Sequence, residues 1–460
     1  MNKVRATAGL GATTAMLAIG WLILHPAVPT ALTAEPAASI GWPEPVVPPA
    51  KVVGSVGCSG VACHGAPVTG LVPKSGWGRA EADDQRWRSS FTVWKCYDPH
   101  GRAFEVLGND RSRHIESRLV NAGETPLSAK ADVRCLACHA NPTLANSPAH
   151  PLLADGVSCE ACHGNAGPWI GEHTGWPAGP DHAAMYGSMT HLNDPAIRAA
   201  TCAGCHVGAP ASAMTPVRDV NHDLIAAGHP RLNFDYATYL RALPPHWVER
   251  DRDVSPVMLR PAGDEFRHWL VGRAATAAAA YRLRTERVAH PSWPELAEFD
   301  CYSCHHGLTG KAATAGRSGS LVWNEPPLAA ALGASDDAVR PVPRPGDGAA
   351  IGQHANEAAA KWQLRADRWA AEPVAAARVA ERLAHVKPDR WDEACQLYYA
   401  LLAIDRAGPP RPVDPRLAEL QVILKLPRDA EGVRFNSPKG FDPSGLPFAD
   451  LFRLRAGLAR

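Results

Sequence analysis

The sequence carries no surplus of charge of either sign: Lys and Arg number 47, Asp and Glu 46, and the net charge over 460 residues is +1. A chain so balanced has no basic stripe to offer a phosphate backbone, so nucleic acid is not expected among its partners. Spare cysteine is also missing. Of 12 cysteines only Cys96 and Cys395 stand outside the short motifs described below, which leaves too few for a disulfide framework. Acidic residues are absent from Ala6 to Leu24, an apolar run that follows Lys3 and Arg5. That run has the shape of an export signal, and it is long enough to serve as an uncleaved membrane anchor. Residues 1–34 are therefore read as a signal peptide or anchor, which gives possible membrane attachment through residues 6–24. The expected location is periplasmic or otherwise extracytoplasmic, with anchoring to the inner membrane as an option.

What the chain does have is a recurring pentad. CxxCH occurs at Cys135–His139, Cys159–His163, Cys202–His206 and Cys301–His305, and a longer form, CSGVACH, at Cys58–His64. Two thiols about one helical turn apart can add to the two vinyl groups of a porphyrin, and the following imidazole then lies under the ring to bind iron. Five covalently bound haem c groups are expected. Cys58, Cys63, Cys135, Cys138, Cys159, Cys162, Cys202, Cys205, Cys301 and Cys304 would form the thioethers, and His64, His139, His163, His206 and His305 the proximal iron ligands. The rival reading is a zinc ribbon, because Cys135, Cys138, Cys159 and Cys162 alone make a CxxC…CxxC pattern. The histidines decide between the two. With 20 His in 460 residues, chance puts His after all five second cysteines on the order of once in six million, and zinc gives no reason for it. Five porphyrins with their propionates would take the protein from +1 to roughly −4 when oxidised, an acidic protein.

The motif starts show no fixed period, so a simple repeat array is excluded. Residues 35–53, with Pro43, Pro45, Pro48 and Pro49, read as a tether. Residues 54–310 read as the haem domain, 311–349 as a Gly- and Pro-rich linker, and 350–460 as a helical C-terminal region. Helix is expected within Trp87 to Leu119, with Asp98 capping a helical start at Pro99. A long helix is expected over 264–288. Shorter helices are expected over 354–372, 374–385, 389–405, with Cys395 on a core face, and 414–426, capped by Asp414. Porphyrin faces must supply much of the interior of a domain with about 51 residues per haem. The fold class is thus mainly α with long loops, packed around five haems, plus a helical C-terminal extension.

Each iron needs a sixth ligand, and the chain keeps enough histidine to give it one. His100 shares an apolar face with Ala103, Phe104 and Leu107. His173 follows a short loop after the third motif. His222 and His229 flank a short helix started at Asn221 and ended by Gly228, and His306 follows the fifth motif. These five are the candidate distal ligands; a satisfied core or surface histidine is the ordinary alternative for each.

The segments GVSCEACHG (156–164), CAGCHVG (202–208), NHDLIAAGHPRLNF (221–234) and CYSCHHGL (301–308) resemble those of multihaem c-type cytochromes grouped around the tetrahaem electron carrier of ammonia-oxidising bacteria. The resemblance covers roughly residues 54–310. It implies a helical haem-packed fold, irons with two His ligands, and electron transfer between a donor and an acceptor protein outside the cytoplasm, with one haem left five-coordinate in some relatives. The extra CxxxxCH site and the C-terminal helices depart from the four-haem pattern. The alternative is a haem oxidoreductase acting on a small nitrogen or sulfur compound at one open iron. No CxxCK, the mark of the catalytic haem in some multihaem nitrite reductases, occurs in the chain.

Overall fold

The computed structural model describes residues 51–68, 86–120, 127–175, 189–247, 264–291, 293–299, 323–324, 347–407, 414–426 and 441–457. The export segment, residues 35–50 of the tether and the fifth motif, Cys301 to His306, lie outside the described residues. The described ones are mainly helical. Among them an isolated bridge between Ala209 and Arg218 is all the β-pairing present.

The helix expected within Trp87 to Leu119 is broken into pieces. A 3-10 turn over Arg86–Ser89 leads into helix α1, Ser90–Tyr97, followed by 3-10 turns Pro99–Arg102 and Glu105–Gly108 and then α2, Asp110–Arg118. The break has a local cause. Asp98 precedes a proline, which drives it out of the helical region to φ −85°, ψ 125°. Asp98 caps the turn that follows, as its sequence position suggests, by accepting from the His100 N–H. Asn109 is extended in the same way and caps α2 through the Ser112 N–H.

Three of the CxxCH motifs lie on helices: α3, Val133–His139; α4, Cys159–His163; and α5, Pro195–His206. Asp132 caps α3 and Asp194 caps α5, each with a side-chain oxygen on a first-turn N–H, which fixes where the pentad begins to wind. Helix α6, His222–Ala227, starts at the Asn221 cap and stops at Gly228, whose φ of 121° suits glycine. Then comes α7, Tyr236–Ala242.

The helix α8, Asp264–Ala289, is buried nearly all round, with Glu265, Arg273 and Arg284 buried along with its apolar residues, so it is covered on almost every side. Alanine makes this possible, because Ala274, Ala275, Ala277 and Ala278 let neighbouring backbones come close. One face takes α5 through Ala196, Ala199 and Ala203. At Gly272 a Cβ would stand 2.4 Å from the Tyr236 Cβ, so α7 crosses where α8 has no side chain. The helix α9, Gly348–Ala371, runs along another face with Ala355, Ala359, Trp362 and Ala366 buried. Phe266, Trp269 and Leu270 join the largest apolar cluster, built on α10, Ala376–Leu383; α11, Trp391–Ala407; α12, Pro415–Ile423; and α13, Phe448–Arg455. Cys395 is fully buried there as a small apolar residue. Asp414 caps α12 and also holds Arg455 at 3.2 Å, and Arg455 bonds Asp405 at 2.7 Å. The helix α13 falls inside the 350–460 region expected to be helical, although no individual helix was expected beyond 426.

Candidate haem-binding site

The first motif begins on a 3-10 turn, Ser55–Cys58, and its extra residues form a tight bulge: Cys63 and Gly65 both donate backbone N–H groups to the Gly60 carbonyl, at 2.8 and 2.9 Å. The bulge takes up the two additional residues of CxxxxCH. Its approach strand is fixed by Glu160, a nearly fully buried carboxylate inside CEACH. Glu160 accepts N–H groups from Val53 at 2.9 Å, Gly54 at 2.7 Å and Ala166 at 2.7 Å, so the first and third motifs are tied together through backbone.

The thiols do not gather for zinc. Cys135, Cys138, Cys159 and Cys162 fail to converge, and among the described residues no three of His, Cys, Asp or Glu are grouped to hold a metal ion. They meet thiols of other motifs instead. Cys58 lies beside Cys159, and Cys138 beside Cys205, while Cys162 lies within electrostatic reach of Cys202 and Cys205. The contacts string the motifs in the spatial order first, third, fourth, second. Burial pushes the Cys135 and Cys202 thiols up to about 11 and raises Cys162 further still. Neutral sulfur, as in a thiol or thioether, suits these positions better than thiolate.

The histidines fall into pairs. The rings of His64 and His173 lie 6.2 Å apart and nearly parallel, at 12°. Those of His100 and His206 lie 6.0 Å apart at 77°, and those of His139 and His229 6.5 Å apart at 83°. An axial nitrogen about 2.0 Å from a metal, with the ring centre about 1.1 Å beyond it, puts two axial imidazoles about 6.2 Å apart across one iron. The three pairs fit that spacing, and each joins the histidine of one motif to a histidine far away in sequence.

The second nitrogen of five of these six rings is engaged as well. Nδ1 of His139 faces the Ala103 carbonyl at 3.0 Å, that of His173 the Ile170 carbonyl at 2.5 Å, and that of His229 the Pro230 carbonyl at 2.8 Å. Nδ1 of His64 meets Ser90 Oγ at 3.0 Å, and that of His100 meets Asp98 Oδ1 at 2.9 Å. An imidazole whose Nδ1 is occupied in this way keeps Nε2 for a metal and is held in a fixed orientation. Burial lowers His139 and His229, and pushes His206 down to about 3. The neutral form, which can ligate, thus prevails. His100 differs: burial pulls it down, but the bond to Asp98 and the charge of Asp98 outweigh this and the net shift is upward.

The remaining candidates are placed differently. His163, at the end of α4, forms no such ring pair with a described imidazole; burial, with help from the charges of His246 and His64, pushes it to about 4. His222 sits at the first turn of α6 with its backbone N–H on Glu295, at 2.8 Å. His305 and His306 lie outside the described residues, with Cys301 and Cys304. Three rings escaped the sequence reading. Phe234 stacks on His206 at 5.1 Å and Tyr239 meets it edge-on at 5.0 Å. His246, in a PPHW stretch beyond α7, lies among His163, His64 and His100. Its one sequence signal is a histidine between proline and tryptophan.

Residues 87–164, which include the second and third motifs and His100, match the family model described as cytochrome c554 and c-prime. That match supports a c-type cytochrome with covalently bound haem c, redox partners and the extracytoplasmic setting usual for such proteins. No curated protein and no solved structure matches the chain significantly. Among the described residues no helix is long and apolar enough to cross a membrane.

Proposed function

We propose that the chain is an exported multihaem electron carrier with five haem c groups, which relays single electrons between a donor and an acceptor protein. Bound haem would supply a one-electron couple at each iron. The observation that carries this reading is the set of three imidazole pairs, each at the spacing one iron requires, with five of the six rings tethered through Nδ1. In this reading His64 with His173, His206 with His100, and His139 with His229 are axial pairs. Six-coordinate irons with two protein ligands leave no room for a substrate, which suits a carrier. The thiol contacts support a continuous path, because Cys58 beside Cys159 and Cys138 beside Cys205 bring the attachment edges of neighbouring porphyrins together. The fifth site, Cys301 and Cys304 with His305, and the roles of His222 and His306 belong to this proposal by motif alone, as does export through residues 1–34.

The alternative, an oxidoreductase acting on a small nitrogen or sulfur compound, is favoured by one observation: among the described residues no ring is paired with His163 at ligating distance. Spectra separate the two. A reduced holoprotein whose haems are all low-spin and bind no carbon monoxide is expected of the carrier; a high-spin haem that takes up carbon monoxide and turns over a small oxidised nitrogen or sulfur species would replace that reading with the enzyme.

A further inference from the structure

We propose that Asp392, at the start of α11, is a positioning residue for His229: it grips Arg231 and, through the stiff Pro230, fixes how that imidazole meets the iron of the second motif. This rests on reading His139 and His229 as an axial pair, and it gives the C-terminal helices a part in tuning a haem. Arg231 Nη2 bonds Asp392 Oδ2 at 2.9 Å and Nη1 meets Oδ1 at 3.3 Å, a two-pronged pair between residues 161 positions apart. The Asp392 side chain is 6% exposed and that of Arg231 21%. A bidentate pair with so little solvent around it sets an orientation as well as a distance.

The segment needs such a grip. Residues 229–235 are irregular backbone between α6 and α7, so no helix or sheet ladder holds them, and ties along their length set their place. At the near end the His229 N–H reaches the Leu224 carbonyl at 2.9 Å, while His229 Nδ1 faces the Pro230 carbonyl at 2.8 Å. At the far end the Phe234 carbonyl accepts the Trp323 indole N–H at 3.0 Å. The Trp323 carbonyl in turn accepts from Arg273 of α8 at 3.0 Å and from Gln396 of α11. Arg231 is the tie in between. Asp392 and Gln396 stand four residues apart on α11, hence on one face, and that face holds both the middle and the far end of the segment. Proline fixes its own φ, so a shift of Arg231 passes to His229 across a single stiff residue. The His229 ring, 6.5 Å from that of His139, turns with it.

The test is a redox titration of the intact holoprotein at equal haem content, with Asp392→Asn and Arg231→Ala made separately and together. Loosening an axial imidazole weakens its donation to iron and raises the potential. The field of the lost charges acts differently. Asp392→Asn leaves a cation uncompensated and Arg231→Ala an anion, so charge alone would move the potential up in the first and down in the second. The expected result is an upward shift of one haem in both, the same haem that His229→Met raises, with the double variant shifting no further than the single ones. Opposite shifts in the two single variants, no shift in either, or a shift of another haem would overturn the assignment. Leu401→Ala, which loosens the same bundle, should leave every potential where it was; a matching upward shift there would also overturn it. Should a variant not accumulate as holoprotein, Arg231→Lys, which keeps the charge but not the two-pronged bond, decides by the same upward shift or its absence. A parent without covalent haem, or a His229→Met variant in which no haem is raised, would instead sink the axial-pair reading, and the assignment with it.

Discussion

The described residues within 51–247 and within 264–457 are both mainly helical, yet they are held together by different materials. In the second region the core is ordinary: Trp391, Leu397, Leu401, Leu420, Phe448 and Phe452 are buried against one another around α11. In the first, the purely local clusters are small, one made of Leu107, Leu136 and Leu153 with alanines and another of Ile115, Leu224 and Ala227. Its motif thiols and imidazoles are half-buried, apart from the exposed Cys63, and sit among capped helix ends instead of in an aliphatic core. Short helices and 3-10 turns with so little aliphatic packing do not offset the conformational entropy of ordering them. The comparison teaches that the first region is completed by its cofactors, whereas the second stands on side chains, with α8 as the element both share.

The comparison can be broken most directly by withholding haem. Expression where haem is not attached should strip amide-exchange protection from most of residues 51–247 while α11 keeps its own; equal protection in both regions would refute the distinction. A cavity in the second region should act the other way. Leu401→Ala should cost about 2–5 kcal/mol of stability, read as a lower denaturation midpoint, and leave the visible spectrum as it was.

Acid should weaken the first region before the second. Burial holds His163 to about 4 and His206 to about 3, against an ordinary value near 6.5. Above 6.5 both states are neutral and the contribution is constant. As pH falls below 6.5 the unfolded chain takes up protons that the folded one refuses, so stability declines toward the folded values. Loss of the low-spin spectrum between pH 6.5 and 3, ahead of the loss of far-ultraviolet helix signal, is the expected sequence of events. The smallest effect is expected at Asp98, which accepts both the His100 backbone N–H and its Nδ1. Asp98→Asn removes a charge that makes the imidazole a stronger donor, and should raise the potential of one haem by some tens of millivolts, on the order of 1 kcal/mol, without changing haem content.

Much of the second region was legible in sequence because its signals are local: the apolar stretch of α8, the Asp414–Pro415 start of α12 and the face around Cys395 are each set within a few turns. The motifs were legible for the same reason, since five residues define each. The partnerships were not. His100 meets His206, and His139 meets His229, through tertiary packing that no period records. The helix start at Asp98–Pro99 within Trp87–Leu119 was legible from the Asp-Pro pair, which also marks the break before it. His246 was passed over because nothing near it repeats a motif.

The mass of the intact exported protein, taken together with its reduced absorption spectrum, tests the central claim most directly. The account predicts a chain heavier than its polypeptide by five covalently bound haems, with the sharp bands of low-spin ferrous haem c. A polypeptide at its bare mass, or one whose cysteines are alkylated in the folded state, would contradict it.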